Sequence, residues 1–498
     1  MNTVPLGASQ NIQRGEHQRS RRPATGPSPT IKHVVIIIQE NRSFNNLFGG
    51  PHPFPNATAT AAGYESNGTK VTLSKIEFEF DPQCDLGHYY SDAISALNAS
   101  STGAYQMNGF NKETWCSGSA NKTPYAYVDY AETKPYWFMA SHWGLGDHFY
   151  PTELGPSFTA HLNWIASTDE IAKGKAVVNF PNPWVSSTSD CDALAAQNPS
   201  YSLLYGGSVH QKNGWACFWQ FHTMADFFHP TGANASPTWR YYAPSVSNEG
   251  GKIWSEFEAI EQVWCGTSGP ISAPCSGGPE AVNVVTPSRQ ILSDVANGNL
   301  ASLTWVVPTL RNSDHQQCNF NGTTTTGKPC TGPAWVASVV NAIGNSKFWD
   351  STVIIVTWDD WGGWYDEDSP PMYDFRGKGI RTPIIVISPY NIQGSSYYYG
   401  GHGWVSHDQY EPGSVLKFVE QVFNFPTLGS LPCNTFTYSY SQGCNLGYTD
   451  STAVHSISDN MLDFSQSPRA FTPVPTPNGY GNSYFNFQPE SASPPDTE

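Results

Sequence analysis

Two pairs of side chains that can hold a metal ion each follow a short apolar run typical of a buried strand. Glu40 and Asn41 form the first pair, and the adjacent carboxylates Asp359 and Asp360 form the second. Adjacent carboxylates repel each other strongly unless a cation lies between them. In open α/β sheets, functional side chains gather at the carboxyl ends of the strands. The four residues therefore predict a cage of mostly oxygen ligands for a hard divalent metal ion, whereas either pair alone could be a helix cap or a loop.

Ser157 is placed to act as a nucleophile. It follows Gly155-Pro156 and precedes a helical pattern with Leu162 and Ile165 on one face, so we expect it at a helix start. Serine is common there simply as an N-cap. The same position also suits phosphate chemistry, because the free amides of a helix N-terminus bind anions and a nearby metal activates a hydroxyl. The sequence alone leaves both roles open.

The elements that must position these residues indicate an α/β fold. Four apolar runs have the length of buried parallel strands. They are Val34–Ile38, Leu303–Val307, Val353–Thr357 and Ile384–Ser388. Helical patterns occur at Trp335–Phe348 and Ser414–Phe423. This alternation predicts a doubly wound, mostly parallel sheet flanked by helices.

The sequence divides into one large domain between two polar tails. Residues 1–30 contain few large apolar side chains, and residues 465–498 are rich in Pro, Ser and Asn. We expect both segments to be disordered or to lie along the surface. Residues 31–464 form the domain. Within it, residues 173–287 hold four of the ten cysteines without strong periodicity. This composition predicts a disulfide-rich insertion over the sheet.

The charge balance excludes two classes of partner. The 498 residues include 25 Lys and Arg against 41 Asp and Glu, a formal net charge of −16. Such an acidic protein does not attract nucleic acid or anionic membranes. No stretch approaches the ~20 apolar residues of a membrane-spanning helix, so no transmembrane segment is expected.

The ten cysteines favour structural disulfides in an oxidising compartment, with buried free thiols as the alternative. They are even in number and widely spread, and no CxxC pair indicates a zinc or redox site. The pairs that close short loops are Cys265/Cys275, Cys318/Cys330 and Cys433/Cys444. No apolar segment typical of a signal peptide follows Arg21-Arg22. A secreted or periplasmic location is therefore expected from the cysteines alone.

Three segments, in the same order along the chain, resemble motifs of the bacterial phospholipase C and acid phosphatase family within the alkaline-phosphatase-like superfamily. The family motif ENRSFD occurs as ENRSFN at Glu40–Asn45, and the nucleophile segment occurs as Gly155-Pro156-Ser157. The metal-binding segment, two acidic residues followed by a Gly-Gly turn, occurs at Asp359–Gly363. Further matches are Met107–Phe110, Thr238–Pro244, Ser313–Gln317, Arg381–Tyr390 and Ser406–Glu420. The resemblance spans most of residues 31–425 and implies an alkaline-phosphatase-like fold.

The resemblance implies roles for seven residues. The metal ligands would be Glu40, Asn41, Asp359 and Asp360, with Ser157 as nucleophile and further metal contact. His315 would contact the phosphoryl oxygens, and His88 would be another active-site histidine. His161 and His407 are weaker candidates. The implied cofactor is a divalent metal ion whose identity the sequence does not specify.

The chain departs from the family pattern at two places near these motifs. Asn45-Asn46 occupy the place of a usual Asp-His, and Asp366-Glu367 occupy a place where a histidine often follows the Gly-Gly turn. The acid that protonates the leaving group is therefore unassigned. The further C-terminal modules of the larger bacterial phospholipases C are not expected here.

Three functions compete. The preferred one is metal-assisted hydrolysis of a phosphodiester, such as a phospholipid, through a phosphoserine intermediate, as in a phospholipase C. The second is a nonspecific acid phosphatase that acts on monoesters. The third is a noncatalytic secreted protein whose Trp and Tyr side chains stack on sugars or lipids. Five site residues at three separate places argue against the third, because a binding protein does not need them.

Overall fold

An eight-stranded sheet forms the centre of the computed structural model. Its strands are β1 His33–Gln39, β2 Gly144–Phe149, β3 Trp239–Tyr242, β4 Val284–Val285, β5 Leu303–Val306, β6 Thr352–Trp358, β7 Thr382–Ile387 and β8 Trp404–Ser406. The structure describes residues 30–79, 84–115, 118–179, 191, 201–212, 217–228, 238–244, 254–267, 273–316, 318, 329–394, 398–431, 446–450 and 454–487.

The strand order is β4-β3-β5-β1-β6-β7-β2-β8. Seven strands are parallel to one another, and β7 alone runs antiparallel to its neighbours β6 and β2. The predicted doubly wound, mostly parallel sheet is confirmed. The expectation that Ile384–Ser388 is a parallel strand is wrong. A parallel return needs a crossover, usually a helix, and no α-helix lies between β6 and β7, where every residue is described.

Both faces of the sheet are buried, which explains why its central strands are continuously apolar. Along β1, Val34, Ile36 and Ile38 pack into one core, and Val35 and Ile37 pack into the other. Successive side chains of a strand point to opposite faces. Because helices cover both sides of the sheet, the β1 side chains on both faces are apolar.

Helices cover the two faces and the edges. The α-helices are Phe44–Phe48, Tyr90–Leu97, Tyr130–His142, Ser157–Ala166, Glu261–Trp264, Gln290–Ala296, Gly332–Gly344, Pro412–Phe423, Ser458–Met461 and Asn482–Phe487. Both predicted helices are present, each beginning a few residues earlier than expected. Across the described part of the chain, none of the helices has the length and apolar character needed to span a bilayer.

The remaining strands form small antiparallel or parallel units outside the central sheet. One four-stranded unit consists of Glu170–Ala172, Lys175–Asn179, Tyr201–Tyr205 and Ser208–Lys212. Three ribbons pair Ala62–Tyr64 with Lys70–Thr72, Ser74–Ile76 with Ala126–Val128, and Thr114–Trp115 with Gly118–Ser119.

Disulfides pin the cysteine-rich region, but that region is not wholly an insertion. Cys191–Cys217 and Cys265–Cys275 are bonded within it, and Cys318–Cys330 is bonded beyond it. The last two pairs are those predicted from short loops, while Cys433/Cys444 lies outside the described residues. Residues 173–287 also supply β3 and β4 to the central sheet. The prediction of an insertion over the sheet missed these strands because they are only four and two residues long.

The C-terminal segment packs against the domain as far as residue 487. Phe485 is fully buried, with its ring 5.3 Å from that of Trp335 on the helix Gly332–Gly344. Val474 is buried in the same core. This part of the predicted tail lies along the body of the protein, and residues 1–29 and 488–498 lie outside the described residues.

Candidate active site

The register of two parallel strands brings the four predicted metal ligands together. Gln39 at the end of β1 lies opposite Trp358 at the end of β6, and the Asp359 amide donates to the Gln39 carbonyl at 2.9 Å. The next residues of both strands therefore leave the sheet side by side. Glu40, Asn41, Asp359 and Asp360 are all at most 1% exposed. Burying several acidic groups together is costly unless a counter-charge compensates them.

A tight glycine turn holds the second carboxylate in place. The Gly362 amide donates to Asp360 Oδ1 at 2.6 Å, and Gly362 has a φ of +58°. A Cβ at Gly362 would lie 2.2 Å from the Asn41 carbonyl oxygen. Only glycine combines this left-handed conformation with so close an approach. The turn therefore fixes Asp360 against the backbone of Asn41.

Asn41 connects the carboxylates to the serine. Its backbone amide donates to Asp359 Oδ1 at 2.9 Å, and its φ of +60° turns the chain into that position. Its side-chain Oδ1 lies 3.3 Å from Ser157 Oγ, which also lies 3.4 Å from Asp360 Oδ2. Residues far apart in sequence thus converge on one hydroxyl.

Ser157 is the first residue of the helix Ser157–Ala166 and is fully buried. The N-cap is Pro156, and no side chain caps the helix. The alternative of an N-cap serine therefore does not describe this residue. Its hydroxyl instead faces Asn41 and Asp360, where the first-turn amides of the helix lie close by.

His161 lies one turn further along the same helix and faces the carboxylates. Its Nε2 is 3.1 Å from Glu40 Oε1 and 3.8 Å from Asp359 Oδ2. Burial lowers the pKa of His161 to about 4, against the opposing effect of Asp359, so the imidazole is neutral at pH 7. From the sequence, His161 was only a weaker candidate for the active site. Its spacing of four from Ser157, which puts both on one helix face, is the signal that could have found it.

The donor set fits a divalent metal ion. Asp359 Oδ2 is buried without a hydrogen-bond partner among the described residues. One ligand atom each of Glu40, His161 and Asp359 lies within 4.8 Å of the others. Neighbouring carboxylate oxygens, an amide oxygen and a neutral imidazole are ordinary ligands for divalent cations.

His88 contacts this cluster. Its Nδ1–H donates to the Leu86 carbonyl at 2.7 Å, so Nε2 accepts from Asn41 Nδ2 at 3.1 Å. The amide of Asn41 is thereby oriented with its oxygen toward Ser157. His88 is 1% exposed.

His315 approaches from the loop after β5. The Asp314 amide donates to Gln39 Oε1 at 3.0 Å, which holds this loop against the end of β1. His315 is fully buried, and its Nε2 lies 3.2 Å from Asp85 Oδ2, three residues before His88. The contact with phosphoryl oxygens that the resemblance implies for His315 stays a prediction.

The residues that depart from the family pattern bond to two buried arginines, Arg381 and Arg42, directly or through Asp366. Asp366 accepts from Arg381 Nε at 2.9 Å and from the Asn45 amide at 3.0 Å. Asn46 accepts from Arg42 Nη1 at 3.1 Å, and Glu367 pairs with Arg381 at 3.2 Å. These hydrogen bonds and ion pairs join the loop after the Gly-Gly turn to the helix Phe44–Phe48 and to Arg381.

Glu153 was not anticipated from the sequence. It is 1% exposed; Oε1 accepts from Thr159 Oγ1 at 2.7 Å and Oε2 accepts from the Gly155 amide. Burial, and next the charge of Asp169, raise the pKa of Glu153 well above its usual range. Glu153 thus ties the turn before Ser157 to the helix after it. No sequence pattern distinguishes this glutamate from a surface residue.

His407 lies in a separate cluster. Its side chain is 57% exposed and is 2.9 Å from Asp147 Oδ2, and His148 lies 2.8 Å from the other oxygen of the same carboxylate. None of the contacts described for His407 involves Ser157 or the four predicted metal ligands. These contacts do not support a role for His407 in the active site.

Comparison with known proteins shows similarity over most of the chain. The model of a family described as the phosphoesterase family matches residues 31–426. A hemolytic phospholipase C of Pseudomonas aeruginosa is 20% identical over 80% of this chain and 53% of its own length. A non-hemolytic phospholipase C of Burkholderia pseudomallei is 23% identical, covering 80% of this chain and 56% of that protein. The chain thus spans about half the length of these two relatives.

Similarity extends to a plant protein and to a solved structure. Non-specific phospholipase C6 of Arabidopsis thaliana is 27% identical over 83% of this chain and 70% of its own length. A solved protein of the alkaline phosphatase superfamily from Vibrio parahaemolyticus is 9% identical, covers 80% of this chain and 69% of its own, and has a TM-score of 0.29. The assignment of a doubly wound, mostly parallel α/β fold rests on the strand order of the central sheet.

Proposed function

Because the chain belongs to the phosphoesterase family, we propose that it hydrolyses phosphoesters at the site around Ser157, with a phosphodiester of the phospholipase C type as substrate. The observation that carries this proposal is the position of the Ser157 hydroxyl. It lies 3.3 Å from Asn41 Oδ1 and 3.4 Å from Asp360 Oδ2 in a fully buried, carboxylate-rich cluster. Such a cluster has no evident structural use, since neutral side chains would be cheaper to bury.

Ser157 acts as the nucleophile in the proposed reaction. Its Oγ forms a bond to phosphorus, the bond from phosphorus to the leaving alcohol oxygen breaks, and the leaving oxygen takes a proton from solvent, which balances the proton that Ser157 gives up. The Ser157 proton passes toward Asp360 Oδ2, the carboxylate oxygen within hydrogen-bonding distance. A water molecule then attacks phosphorus, releases the phosphoryl product and restores the serine.

Glu40, Asn41, Asp359 and Asp360 would hold a divalent metal ion beside Ser157, with the serine oxygen as a further contact. The ion supplies a lowered pKa for a bound hydroxyl and neutralises charge that develops on the phosphoryl group. The unpartnered, buried Asp359 Oδ2 supports this assignment. His88 orients Asn41, and we propose that His315 and His88 face the phosphoryl oxygens.

The names of the relatives favour a diesterase over a monoesterase. Three relatives that match over 80–83% of this chain are named phospholipases C, and a phospholipase C acts on phosphodiesters. A nonspecific acid phosphatase remains the alternative, because a metal-serine site of this kind serves both ester classes. The disulfides support a secreted or periplasmic location, since such bonds persist in oxidising compartments.

Release of p-nitrophenol from two substrates tests the proposal. We expect turnover of p-nitrophenyl phosphorylcholine to exceed that of p-nitrophenyl phosphate, and a chelator to abolish both. The reverse preference would favour the acid phosphatase. Failure to turn over either ester in the presence of added divalent metals would contradict the proposal and favour a binding protein.

A further inference from the structure

One helix face presents both the proposed nucleophile and a buried histidine to the carboxylate cluster. Ser157 and His161 are four residues apart on the helix Ser157–Ala166, so their side chains lie one above the other. Both are fully buried. The packing of this helix therefore sets the positions of both side chains relative to Glu40 and Asp359 at the ends of β1 and β6.

The histidine meets the cluster through one ring nitrogen. His161 Nε2 is 3.1 Å from Glu40 Oε1 and 3.8 Å from Asp359 Oδ2. Asp359 Oδ2 has no hydrogen-bond partner among the described residues. The three ligand atoms of Glu40, His161 and Asp359 lie within 4.8 Å of one another, which is close enough for one ion to contact all three.

We propose that His161 is a nitrogen ligand of the metal ion, so that the centre has mixed nitrogen and oxygen donors. This inference rests on the proposed function, because it adds a ligand to the same metal centre. A neutral imidazole binds through the nitrogen that carries no proton, which places the proton on Nδ1. The other tautomer, with Nε2–H donating to Glu40, would make His161 a positioning residue instead.

The extra ligand changes which metals the site prefers. Carboxylate and amide oxygens alone suit Mg²⁺, Ca²⁺ and Mn²⁺, whereas an imidazole shifts preference toward Fe²⁺ and Zn²⁺. Helix geometry makes the assignment specific, because the same turn of helix that presents the nucleophile also presents His161. A metal that His161 helps to hold is therefore held next to Ser157.

Electron spin echo envelope modulation of the Mn²⁺-loaded protein tests the ligand directly. We expect coupling to an imidazole nitrogen in the wild-type protein and in His88→Gln, and its loss in His161→Gln. His88 is the matched control, because it is equally buried and contacts the site through Asn41 rather than through a carboxylate. Persistence of the coupling in His161→Gln, or its absence from the wild type, would overturn the proposal.

Titration calorimetry provides a second readout that does not depend on activity. We expect His161→Gln to weaken Zn²⁺ binding at least tenfold while Mg²⁺ binding changes less than threefold. Equal weakening for both metals would contradict a nitrogen ligand. If His161→Gln fails to fold, His161→Asn takes its place, with the same expected loss of imidazole coupling and the same contradicting result. Binding of metal without imidazole coupling would leave the proposed function intact, whereas failure of the wild type to bind any divalent metal would defeat both.

Discussion

Replacing Asp359 by asparagine should stabilise the metal-free protein and weaken metal binding. Asp359 is fully buried, its Oδ1 accepts from the Asn41 amide at 2.9 Å, and its Oδ2 has no hydrogen-bond partner among the described residues. Asparagine has nearly the same shape and keeps an oxygen for the Asn41 amide. The substitution thus removes the negative charge with little change in packing.

The size of the effect follows from the neighbouring carboxylate. Ligand oxygens of Glu40 and Asp359 lie within 4.8 Å of each other. Two unit charges at that distance repel by about 3.5 kcal/mol at an effective dielectric constant of ~20. The hydrogen bond from the Asn41 amide loses ~1 kcal/mol when its acceptor becomes neutral. We therefore expect the free energy of unfolding of the metal-free protein to rise by about 2–3 kcal/mol.

Chemical denaturation with chelator present, and calorimetry with metal, measure the two effects. Metal affinity should fall at least tenfold, about 1.4 kcal/mol. Asp366→Asn is the matched control, because Asp366 is equally buried but pairs with Arg381 at 2.9 Å. Asp366→Asn should lower the free energy of unfolding, although Arg381 keeps Glu367 and Asp368 as partners, and should leave the number of bound metal ions unchanged. The reasoning is refuted if Asp359→Asn destabilises the metal-free protein and keeps full metal affinity.

Two further predictions concern backbone geometry and pH. Gly362→Ala should reduce thermal stability and metal affinity more than Gly174→Ala. Both glycines have a positive φ, but only Gly362 lies close to the backbone of Asn41. Equal losses in the two variants, measured by calorimetry, would contradict this prediction. Burial, and next the charge of Asp450, raise the pKa of Glu420 to about 9. The folded protein therefore holds the Glu420 proton more tightly than the unfolded chain. The resulting contribution to the free energy of unfolding is complete below the pKa of the unfolded chain and is lost as the pH rises toward 9. Glu420→Gln should therefore gain about 4 kcal/mol of stability relative to wild type between pH 5 and pH 8, and a constant difference across that range in urea denaturation would disprove the assignment.

Local sequence patterns were sufficient for the centre of the fold. The runs that became β1, β5 and β6 are mostly apolar on both faces because helices cover both sides of the sheet, and that composition is visible without a structure. The direction of β7 was not predictable in this way, since strand direction depends on the connection rather than on the strand itself. Strands β3 and β4 were too short to carry a pattern.

The candidate site was predictable where a motif ends a strand. Glu40 and Asp359 follow directly after adjacent parallel strands, so their meeting was expected. Glu153 and His161 were missed or ranked low because their importance depends on burial and on partners distant in sequence. His161 acquires its carboxylate neighbours only when helix Ser157–Ala166 packs against the ends of β1 and β6.

The central claim is that Ser157 carries the phosphoryl group during turnover. Rapid acid quench of the metal-loaded enzyme with a slow diester, followed by peptide mapping, measures this directly. We expect a phosphoryl group that still carries its second ester substituent on the peptide that contains Ser157. We also expect Ser157→Ala to fold normally because Pro156 is the N-cap, yet to lose several orders of magnitude in turnover. Near wild-type turnover by Ser157→Ala, or phosphate on a different residue, would contradict the account.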